Sequence, residues 1–262
     1  MTVTASPGGS IIYLEDVTVE YDGFKALNGL NFFMDYKELR VVIGPNGAGK
    51  TTLLDVISGK AQPTVGRVIF GRHTDLAGRR ENEIASLGVG RKFQTPSIFA
   101  NLTVRENLEL ALARRSKGVF ATLQARLSGE QRDRIGSTLE TIGLAAHDDE
   151  RAGGLSHGEK QWLEIGMVMA QDPELLLVDE PLAGMTDEET ARTGELLESI
   201  AAARSVLVIE HDMEFVRQIS SKVTVLHQGT VLCEGPVAQV QNDPRVLEVY
   251  IGRRRETADA HG

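Results

Sequence analysis

The stretch Gly44-Pro45-Asn46-Gly47-Ala48-Gly49-Lys50-Thr51 lies between a short apolar run, Leu39–Ile43, and a segment with helical spacing, Lys50–Ser58. It satisfies the pattern G-x-x-x-x-G-K-[ST] in the setting that this pattern requires, after a strand and at the start of a helix. Glycines let backbone N–H groups turn inward around phosphate oxygens, and a helix N-terminus adds positive potential. The sequence therefore predicts a loop that binds the phosphates of a nucleoside triphosphate.

The residues of this loop have separate tasks in the prediction. Lys50 places a positive charge on the β and γ phosphates, and the Thr51 hydroxyl is a ligand for Mg²⁺. The residues assigned to nucleotide binding are Gly44, Pro45, Asn46, Gly47, Ala48, Gly49, Lys50, Thr51 and Thr52. The alternative is an ordinary glycine turn with an incidental lysine, and a second motif argues against it.

That second motif is a buried strand that ends in carboxylates, because a loop of this type needs an acidic group to hold the shell of the metal. Residues 175–178 form an apolar run, and Asp179 and Glu180 follow it directly. Asp179 is predicted to serve Mg²⁺ through water, and Glu180 to polarise the attacking water as general base. Two acids after a strand are by themselves an ordinary solvated turn. After a phosphate-binding loop they predict hydrolysis.

Composition places the chain among globular proteins. Of its 262 residues, 41% are hydrophobic and 25% are charged, and no apolar run approaches the ~18 to 20 residues of a transmembrane helix. The formal net charge of −9 disfavours nucleic acid as a partner, because phosphate backbones attract clustered Lys and Arg. Cys233, the only cysteine, is interpreted as a small apolar strand residue, and the N-terminus lacks the features of a signal peptide. We expect a cytoplasmic protein that reaches a membrane only through a partner.

Strands and helices alternate along the chain. Strands are predicted at residues 11–19, 30–34, 39–43, 175–178, 205–209, 223–226 and 231–234, the last two as a hairpin. Helices are predicted at residues 50–58 and 188–203, and the stretch 103–144, rich in Leu, Ala, Arg and Glu, is predicted to be mostly helical. The fold class is therefore α/β, with a helical segment inserted in the core.

A third motif, Leu155-Ser156-His157-Gly158-Glu159-Lys160-Gln161, precedes Asp179. It resembles the signature motif of ATP-binding cassette (ABC) proteins, usually Leu-Ser-Gly-Gly-Gln. The resemblance implies that two cassettes face each other head to tail, and that Ser156 and Gly158 of one close over the γ-phosphate held by the other. A serine with backbone amides at a helix start suits an anion. Ser156 and Glu159 also fit a capping box, so the alternative is a capped helix with no further role.

Three further positions resemble functional residues of this family. Tyr21 resembles the aromatic residue that stacks on adenine, and its alternative role is that of an ordinary tyrosine at a strand edge. Gln94 resembles the glutamine that contacts Mg²⁺ and water and links the core to the helical subdomain. His211 resembles the switch histidine that contacts the γ-phosphate. The histidines without a catalytic assignment are His73, His147, His157 and His227.

The chain departs from the family pattern in the signature motif and in the segment after Asp179 and Glu180. His157 replaces the first glycine of the signature motif and Glu159 replaces its glutamine, which places a negative charge near a triphosphate. Thr186 stands where an aspartate often bridges to the facing cassette. The bridge to the facing cassette is therefore altered, or Asp187 makes it instead. These departures leave open a nucleotide sensor that closes without hydrolysis.

The resemblance also implies how the whole chain is organised. Residues 11–251 are expected to form the ABC ATP-binding domain, a P-loop NTPase core with an antiparallel β subdomain and a helical subdomain inserted at about 95–160. Residues 1–10 and 252–262 are expected to be a flexible tail and a polar tail. The implied cofactors are ATP and Mg²⁺. The implied partners are a second ATPase subunit, in a homodimer or a heterodimer, transmembrane permease subunits and, indirectly, a solute-binding protein. The implied location is the cytoplasmic side of the inner membrane.

Finer similarities bear on the transported solute. Residues 91–99, 157–167, 183–190 and 208–213 resemble the branched-chain amino acid and urea importer group. The signature segment and residues 183–190 most resemble the ATP-binding subunit of the urea importer. The prediction is an ATPase that powers the import of urea, with branched-chain amino acids as the alternative. A soluble ABC ATPase that acts on DNA or ribosomes is a competing class, which the single cassette and the net charge of −9 disfavour.

Overall fold

The strand before the glycine loop lies inside a mixed sheet. The computed structural model describes residues 9–92, 98–113, 128–220 and 222–249. Its strands are β1 (Ser10–Tyr21), β2 (Phe24–Asp35), β3 (Leu39–Ile43), β4 (Val65–Phe70), β5 (Thr74–Asp75), β6 (Val89–Lys92), β7 (Leu175–Asp179), β8 (Ser205–Ile209), β9 (Lys222–His227) and β10 (Thr230–Gly235). Its helices are α1 (Lys50–Ser58), α2 (Glu81–Leu87), α3 (Val104–Ala113), α4 (Gly129–Thr141), α5 (His157–Met169), α6 (Asp187–Ala201), α7 (Met213–Ile219) and α8 (Val237–Gln241).

The larger sheet has the strand order β10-β9-β3-β8-β7-β6 in the described part of the chain. Neighbouring strands from β9 to β6 pair in parallel, and β10 pairs antiparallel with β9. Every residue of β3, β7 and β8 is buried, as in parallel sheets that are covered on both faces. Ile209 pairs with both Val42 and Asp179, so the carboxyl ends of these three strands line up. The glycine loop and the predicted acidic residues meet at this edge.

A second sheet is antiparallel and has the order β2-β1-β4-β5. The strands predicted at residues 11–19 and 30–34 are correct in type but too short, since β1 and β2 stay paired as far as Tyr21 and Phe24. Asp22 (φ 50°) and Gly23 (φ 86°) join the two strands, with the positive φ values that a two-residue hairpin turn needs. This Asp-Gly pair is a hairpin signal that the prediction did not use.

The helices α3, α4 and α5 lie between β6 and β7 in the chain and pack against one another. Their apolar faces bury Leu108, Ile135 and Leu163 in one cluster. Gly166 lets α5 approach its neighbours closely, because a Cβ there would stand 2.6 Å from Cδ1 of Ile142. The mostly helical stretch predicted at residues 103–144 is confirmed at α3 and α4, and its residues 114–127 lie outside the described residues.

Most of the other predicted elements agree with the structure. α1 and β8 have the predicted bounds, α6 is shifted slightly toward the N-terminus, and β9 and β10 form the predicted hairpin around Gln228 and Gly229. Cys233 is partly buried in β10, as expected for a strand residue. The sequence did not predict β4, β5, β6, α2, α7 or α8, all of them short. Within the described ranges, no helix combines the length and the apolar character that crossing a membrane requires.

Candidate nucleotide site

The glycine loop leaves β3 in a conformation that depends on its glycines. Gly44 has φ 153° and Gly49 has φ 100°, values that residues with a side chain rarely adopt. A Cβ on Gly44 would stand 2.3 Å from the carbonyl oxygen of Leu226, and one on Gly49 would stand 2.6 Å from that of Ala26. Neighbouring backbone therefore presses on the loop at both glycines and leaves no room for a side chain.

Backbone hydrogen bonds hold the loop against the turn between β9 and β10. The Gly229 N–H donates to the Ala48 carbonyl at 3.0 Å, and the Asn28 N–H donates to the Gly229 carbonyl at 3.0 Å. Within the loop, the Ala48 N–H donates to the Pro45 carbonyl at 3.1 Å. The loop is thereby fixed between the two sheets, and fixed donors are what a phosphate-binding cradle needs.

Lys50 begins α1 with its side chain turned into the loop. The residue is 8% exposed, and its ammonium donates to the carbonyl oxygens of Gly44 at 2.8 Å and Pro45 at 3.1 Å. The first turn of α1 contains no acidic residue, so the positive end of its dipole is available to an anion. The exposed residues of the loop and first turn are Asn46, Gly47 and Thr51. The predicted phosphate site is thus a turn of backbone around a buried ammonium.

Asp179 ends β7 with a carboxylate that is almost entirely buried. The residue is 2% exposed, and its Oδ2 lies 3.7 Å from Nη2 of Arg91. Its Oδ1 is buried and accepts no hydrogen bond from the residues that the structure describes. Burial raises the pKa of Asp179, and the Arg91 guanidinium opposes that rise. A buried carboxylate with one oxygen to spare is suited to a cation.

The oxygen donors at this edge fit Mg²⁺. This ion takes oxygen ligands, keeps several waters and is usually held by one or two protein groups together with substrate phosphates. Asp179 and the Thr51 hydroxyl are groups of this kind. No cluster of three or more His, Cys, Asp or Glu side chains that could hold a metal occurs in the described ranges. Gln94, the third predicted Mg²⁺ contact, lies outside the described residues.

Glu180 follows Asp179 in a backbone conformation that is costly for a residue with a side chain. Its φ is 43°, in the left-handed region, where strain often accompanies function. Its N–H donates to the carbonyl of Ile209 at 3.0 Å, which fixes the residue against the end of β8. The Glu180 side chain is 35% exposed, so water can reach the carboxylate.

His211 stands beside Glu180, just beyond the end of β8. Its Nδ1 lies 3.9 Å from Oε1 of Glu180 and 3.6 Å from Oε2 of Glu210. The imidazole is 70% exposed. The structure therefore brings the predicted base and the predicted switch histidine together at the edge where the glycine loop begins.

Glu210 is a residue of this site that the sequence prediction missed. Its side chain is 1% exposed, and its carboxylate accepts hydrogen bonds from the N–H groups of Leu182 at 3.2 Å and His211 at 3.0 Å. Burial raises the pKa of Glu210, and these backbone donors oppose the rise. Glu210 ties the segment after β7 to the segment after β8. Its signal was an acid directly after an apolar strand, the pattern that had identified Asp179.

Arg91 is a second residue that the prediction missed. Its side chain is 5% exposed, and its Nη1 donates to Asp55 Oδ1 at 2.6 Å and to Ser58 Oγ at 2.8 Å, while Nη2 faces Asp179. Arg91 thus joins α1, which carries the lysine, to β7, which carries the acid. No local pattern in the sequence marks this role.

Tyr21 ends β1 as an exposed aromatic side chain. It is 49% exposed, and Phe24, 63% exposed, pairs with it across the hairpin. Partial burial and the Asp55 carboxylate raise the pKa of the Tyr21 phenol. Stacking of adenine on Tyr21 stays a prediction.

Ser156 is the N-cap of α5. Its hydroxyl accepts a hydrogen bond from the Glu159 N–H at 3.2 Å, and the Glu159 carboxylate accepts one from the Ser156 N–H at 2.8 Å. The capping box named as the alternative is therefore present. The Ser156 hydroxyl also donates to Oε1 of Glu189 at 2.9 Å, and the Gly158 N–H donates to the same oxygen at 3.1 Å. The two groups predicted to bind γ-phosphate thus converge on one anionic oxygen.

The departures from the family pattern make defined contacts. His157 Nε2 lies 2.8 Å from the carbonyl oxygen of Ala183. Thr186 is the N-cap of α6, where its hydroxyl accepts from the Glu189 N–H at 3.3 Å and its own N–H donates to Glu189 Oε2 at 3.0 Å. Asp187 is exposed in the first turn of α6. His157 and Glu189 therefore connect the signature segment to the turn before α6.

We expect Glu189 to stabilise the fold at neutral pH. Hydrogen bonds from Thr186, above all its backbone N–H, and from Ser156 and Gly158 lower the pKa of this carboxyl below 4.5. The contribution is therefore complete above pH 4.5 and is lost as the pH falls through the lowered pKa. Glu189→Ala should lower the free energy of unfolding at neutral pH by about 1 kcal/mol, and the Tm by about 2–4 °C. Thermal unfolding at decreasing pH should show the gap to wild type closing in acid, and a constant gap would contradict this account.

Two family models match the chain. The model described as ABC transporter matches residues 27–183, which include the glycine loop, the signature segment and Asp179. The model described as branched-chain amino acid ATP-binding cassette transporter matches residues 230–256. The first match covers more than half of the chain and is sufficient to show the family.

Curated relatives align along nearly the whole chain. The high-affinity branched-chain amino acid transport ATP-binding protein LivG of Escherichia coli strain K12 is 36% identical over 250 residues, which cover 92% of this chain and 98% of the relative. BraF of Pseudomonas aeruginosa, with the same description, is 34% identical over 250 residues with the same two coverages. The aligned region therefore spans the glycine loop, the signature segment, and Asp179 with Glu180.

Solved structures of cassettes share the fold. A crystal structure of the ADP conformation of an ATP-binding cassette of an ABC transporter has a TM-score of 0.83 and 29% identity, over 93% of this chain and 99% of that one. A dimeric cassette in a post-hydrolysis state, bound to ADP and Pi, has a TM-score of 0.72 and 25% identity, over 86% of this chain and 98% of that one. The fold class predicted from the sequence is confirmed. This chain belongs to the ABC transporter family and is one of its ATP-hydrolysing cassettes.

Proposed function

We propose that this chain is the ATPase subunit of a solute importer of the branched-chain amino acid type. The observation that carries the proposal is its 36% identity to a branched-chain amino acid transport protein over 92% of this chain and 98% of the relative. The family match at residues 230–256 supports it from another part of the chain. The shared edge of β3, β7 and β8 supports the ATPase part, because it brings the phosphate loop, Asp179 and Glu180 together.

Nucleotide binding in this proposal depends on the loop and on the start of α1. The backbone N–H groups of residues 44–49 and the Lys50 ammonium bind the β and γ phosphates, and Tyr21 stacks on adenine. Thr51, Asp179 and Gln94 are the residues that would hold Mg²⁺. When bound, this ion neutralises charge on the phosphates and on the leaving group.

Hydrolysis in this proposal is an in-line attack of water on the γ-phosphorus. The water oxygen forms a bond to the γ-phosphorus while the Glu180 carboxylate accepts a proton from that water. The bond between the γ-phosphorus and the oxygen of ADP breaks, which gives ADP and inorganic phosphate. His211 is close enough to Glu180 to contact the same γ-phosphate, and Lys50 stabilises the developing charge. Glu210 positions His211 through the backbone hydrogen bond at 3.0 Å.

A second cassette is proposed to complete each site. Ser156 and Gly158 would close over the γ-phosphate that the partner's loop holds, so each chain contributes half of two sites. Moving an open-to-closed equilibrium from 1:99 to 99:1 takes about 5.5 kcal/mol of differential binding, which two nucleotides held between cassettes could provide. The isolated chain is therefore expected to hydrolyse ATP poorly.

The chain is proposed to work as a peripheral subunit at the cytoplasmic side of the inner membrane. Its partners would be a second ATPase subunit, transmembrane permease subunits and, indirectly, a solute-binding protein. In this arrangement residues 11–251 form the ATP-binding domain, and the helical part at about 95–160, together with the segment around Gln94, carries movement to the permease. A soluble ATPase that acts on nucleic acid is disfavoured by the net charge of −9.

The solute is the finer part of the proposal. The named relatives are branched-chain amino acid transport proteins, so they favour branched-chain amino acids, the alternative solute predicted from the sequence. Urea, the main prediction from the sequence, has no support from the relatives and structures described above. No residue of the nucleotide site selects a solute, so the choice belongs to the partner subunits.

Uptake by the assembled transporter tests this proposal. The complex, purified with its solute-binding subunit and placed in vesicles that contain ATP, should accumulate labelled leucine and should need ATP to do so. Accumulation of labelled urea without leucine would replace the proposed solute with the one predicted from the signature segment. A complex that hydrolyses ATP but accumulates neither solute would overturn the proposal of an importer of this type.

A further inference from the structure

Glu189 accepts hydrogen bonds from the two signature groups that are proposed to bind the γ-phosphate held by a facing cassette. Its Oε1 accepts the Ser156 hydroxyl at 2.9 Å and the Gly158 N–H at 3.1 Å. A terminal phosphate would likewise present a negatively charged oxygen that accepts hydrogen bonds from these same two groups. The chain thus supplies its own anion to its signature segment, from a residue on a different helix.

The two donors cannot serve both anions. A serine hydroxyl has one proton to donate and a backbone amide has one, so each group directed at Glu189 is withdrawn from any other acceptor. The contact is also close, because a Cβ on Gly158 would stand 2.6 Å from Cδ of Glu189. A γ-phosphate approaching Ser156 and Gly158 would meet both the volume and the charge of this carboxylate.

Glu189 has a second attachment that does not involve the signature segment. Its Oε2 accepts the Thr186 N–H at 3.0 Å and the Thr186 hydroxyl at 3.2 Å, which closes the capping box at the start of α6. The side chain is partly exposed, not sealed in the core. It can therefore leave Ser156 and Gly158 and stay anchored on its own helix.

We propose that Glu189 is an internal competitor for the donors of the signature segment. The Glu189 carboxylate must release Ser156 and Gly158 before this segment can close over the nucleotide that a facing cassette holds. This inference rests on the proposed function, in which closure between two cassettes is driven by ATP. Because of this competition, the ATP concentration needed for closure depends on Glu189, which lies outside the glycine loop. Hydrogen bonds to a charged group have a net strength that corresponds to on the order of tenfold in an equilibrium constant, so the effect should be measurable.

The test measures ATP-dependent association of the full chain in a Glu180→Gln background, where hydrolysis is slowed and closed dimers accumulate. The half-maximal ATP concentration for dimer formation is read by analytical ultracentrifugation in the presence of Mg²⁺. Addition of Glu189→Ala should lower this concentration by on the order of tenfold. ATP affinity of the monomer, measured by calorimetry at protein concentrations too low for association, should not change, because Glu189 does not contact the glycine loop.

Two control variants separate competition from charge and from helix capping. Glu188→Ala removes the same charge from the neighbouring exposed position in the first turn of α6, and should leave the ATP requirement as it is. Ser128→Ala removes the hydroxyl that caps α4, in a capping box that does not involve Glu189, and should lower the Tm without lowering the ATP requirement.

The outcomes are distinct. A lower ATP requirement in Glu189→Ala alone supports the competitor. An unchanged or higher requirement in that variant overturns it, and would mean that Glu189 holds the signature segment in its binding conformation. Equal shifts in Glu189→Ala and Glu188→Ala also overturn it, because general repulsion would then account for both. Failure of the Glu180→Gln parent to associate at any ATP concentration would reject ATP-driven closure between two copies of this chain, and the competitor with it.

Discussion

Replacement of Glu180 by glutamine is expected to reduce ATP turnover in the assembled transporter by about 10²- to 10⁴-fold, with little change in ATP affinity. The amide has nearly the size of the carboxylate but does not accept the proton of the attacking water. The backbone around it should persist, because the 3.0 Å hydrogen bond from the Glu180 N–H to Ile209 does not involve the side chain. The backbone strain at φ 43° is the same for glutamate and glutamine. The substitution therefore tests only the ability of the side chain to accept a proton.

Steady-state phosphate release and calorimetric ATP binding together check this prediction. A matched control is Glu188→Gln, which makes the same chemical change at an exposed position on α6 and should retain turnover. Turnover near that of wild type in Glu180→Gln would remove Glu180 from the role of base. A parallel loss of ATP affinity would show that Glu180 acts in binding and not in proton transfer.

Local patterns allowed the phosphate site to be predicted from the sequence. The bounds of α1 and β8 were correct because short-range signals define them: a glycine on each side of α1 and a continuous apolar run for β8. The alignment of Asp179 with the glycine loop also follows from a local rule, since parallel buried strands end at the same edge. These parts of the site are encoded within a few residues of each motif.

Contacts between distant segments were not predictable in this way. The hydrogen bond from Ser156 to Glu189 joins residues 33 positions apart, and it forms only because α5 and α6 pack together. The sequence showed only the capping box of Ser156 and Glu159, as a local feature, and the prediction treated Glu159 as a charge near the triphosphate. In the structure Glu159 is bound to its cap, and Glu189 is the acid on the signature donors. Periodicity and motifs carry no information about that pairing.

Arg91 and Glu210 illustrate a second limit. Arg91 lies within β6 and no local pattern marks it, while Glu210 directly follows β8 with the same pattern as Asp179, which by itself is also that of an ordinary solvated turn. Their roles come from burial: Arg91 is 5% exposed between Asp55 and Asp179, and Glu210 is 1% exposed between two backbone N–H groups. Buried charges need partners, but the sequence alone does not show which charges are buried.

Substitution of Gly44 by alanine is the second change from which we expect a large effect. The added Cβ would stand 2.3 Å from the Leu226 carbonyl oxygen and 3.2 Å from Cβ of Ala48, so the loop must move away from β9. Such movement displaces the Gly44 carbonyl, to which the Lys50 ammonium donates at 2.8 Å. Because misplacement of binding groups by about 1 Å can cost about 10²-fold, we expect ATP affinity and turnover in Gly44→Ala to fall by about that factor.

Gly78→Ala is the matched control for this prediction. Gly78 also has a positive φ, 75°, but a Cβ there would meet nothing within 4 Å. It lies in the loop between β5 and α2 and should show only the conformational cost of the left-handed region, about 1 kcal/mol of stability. Calorimetric ATP binding should therefore separate the two variants, with a large loss in Gly44→Ala and none in Gly78→Ala. Equal ATP affinity in both variants would mean that β9 yields to the new methyl group and that contact with Leu226 does not set the geometry of the loop.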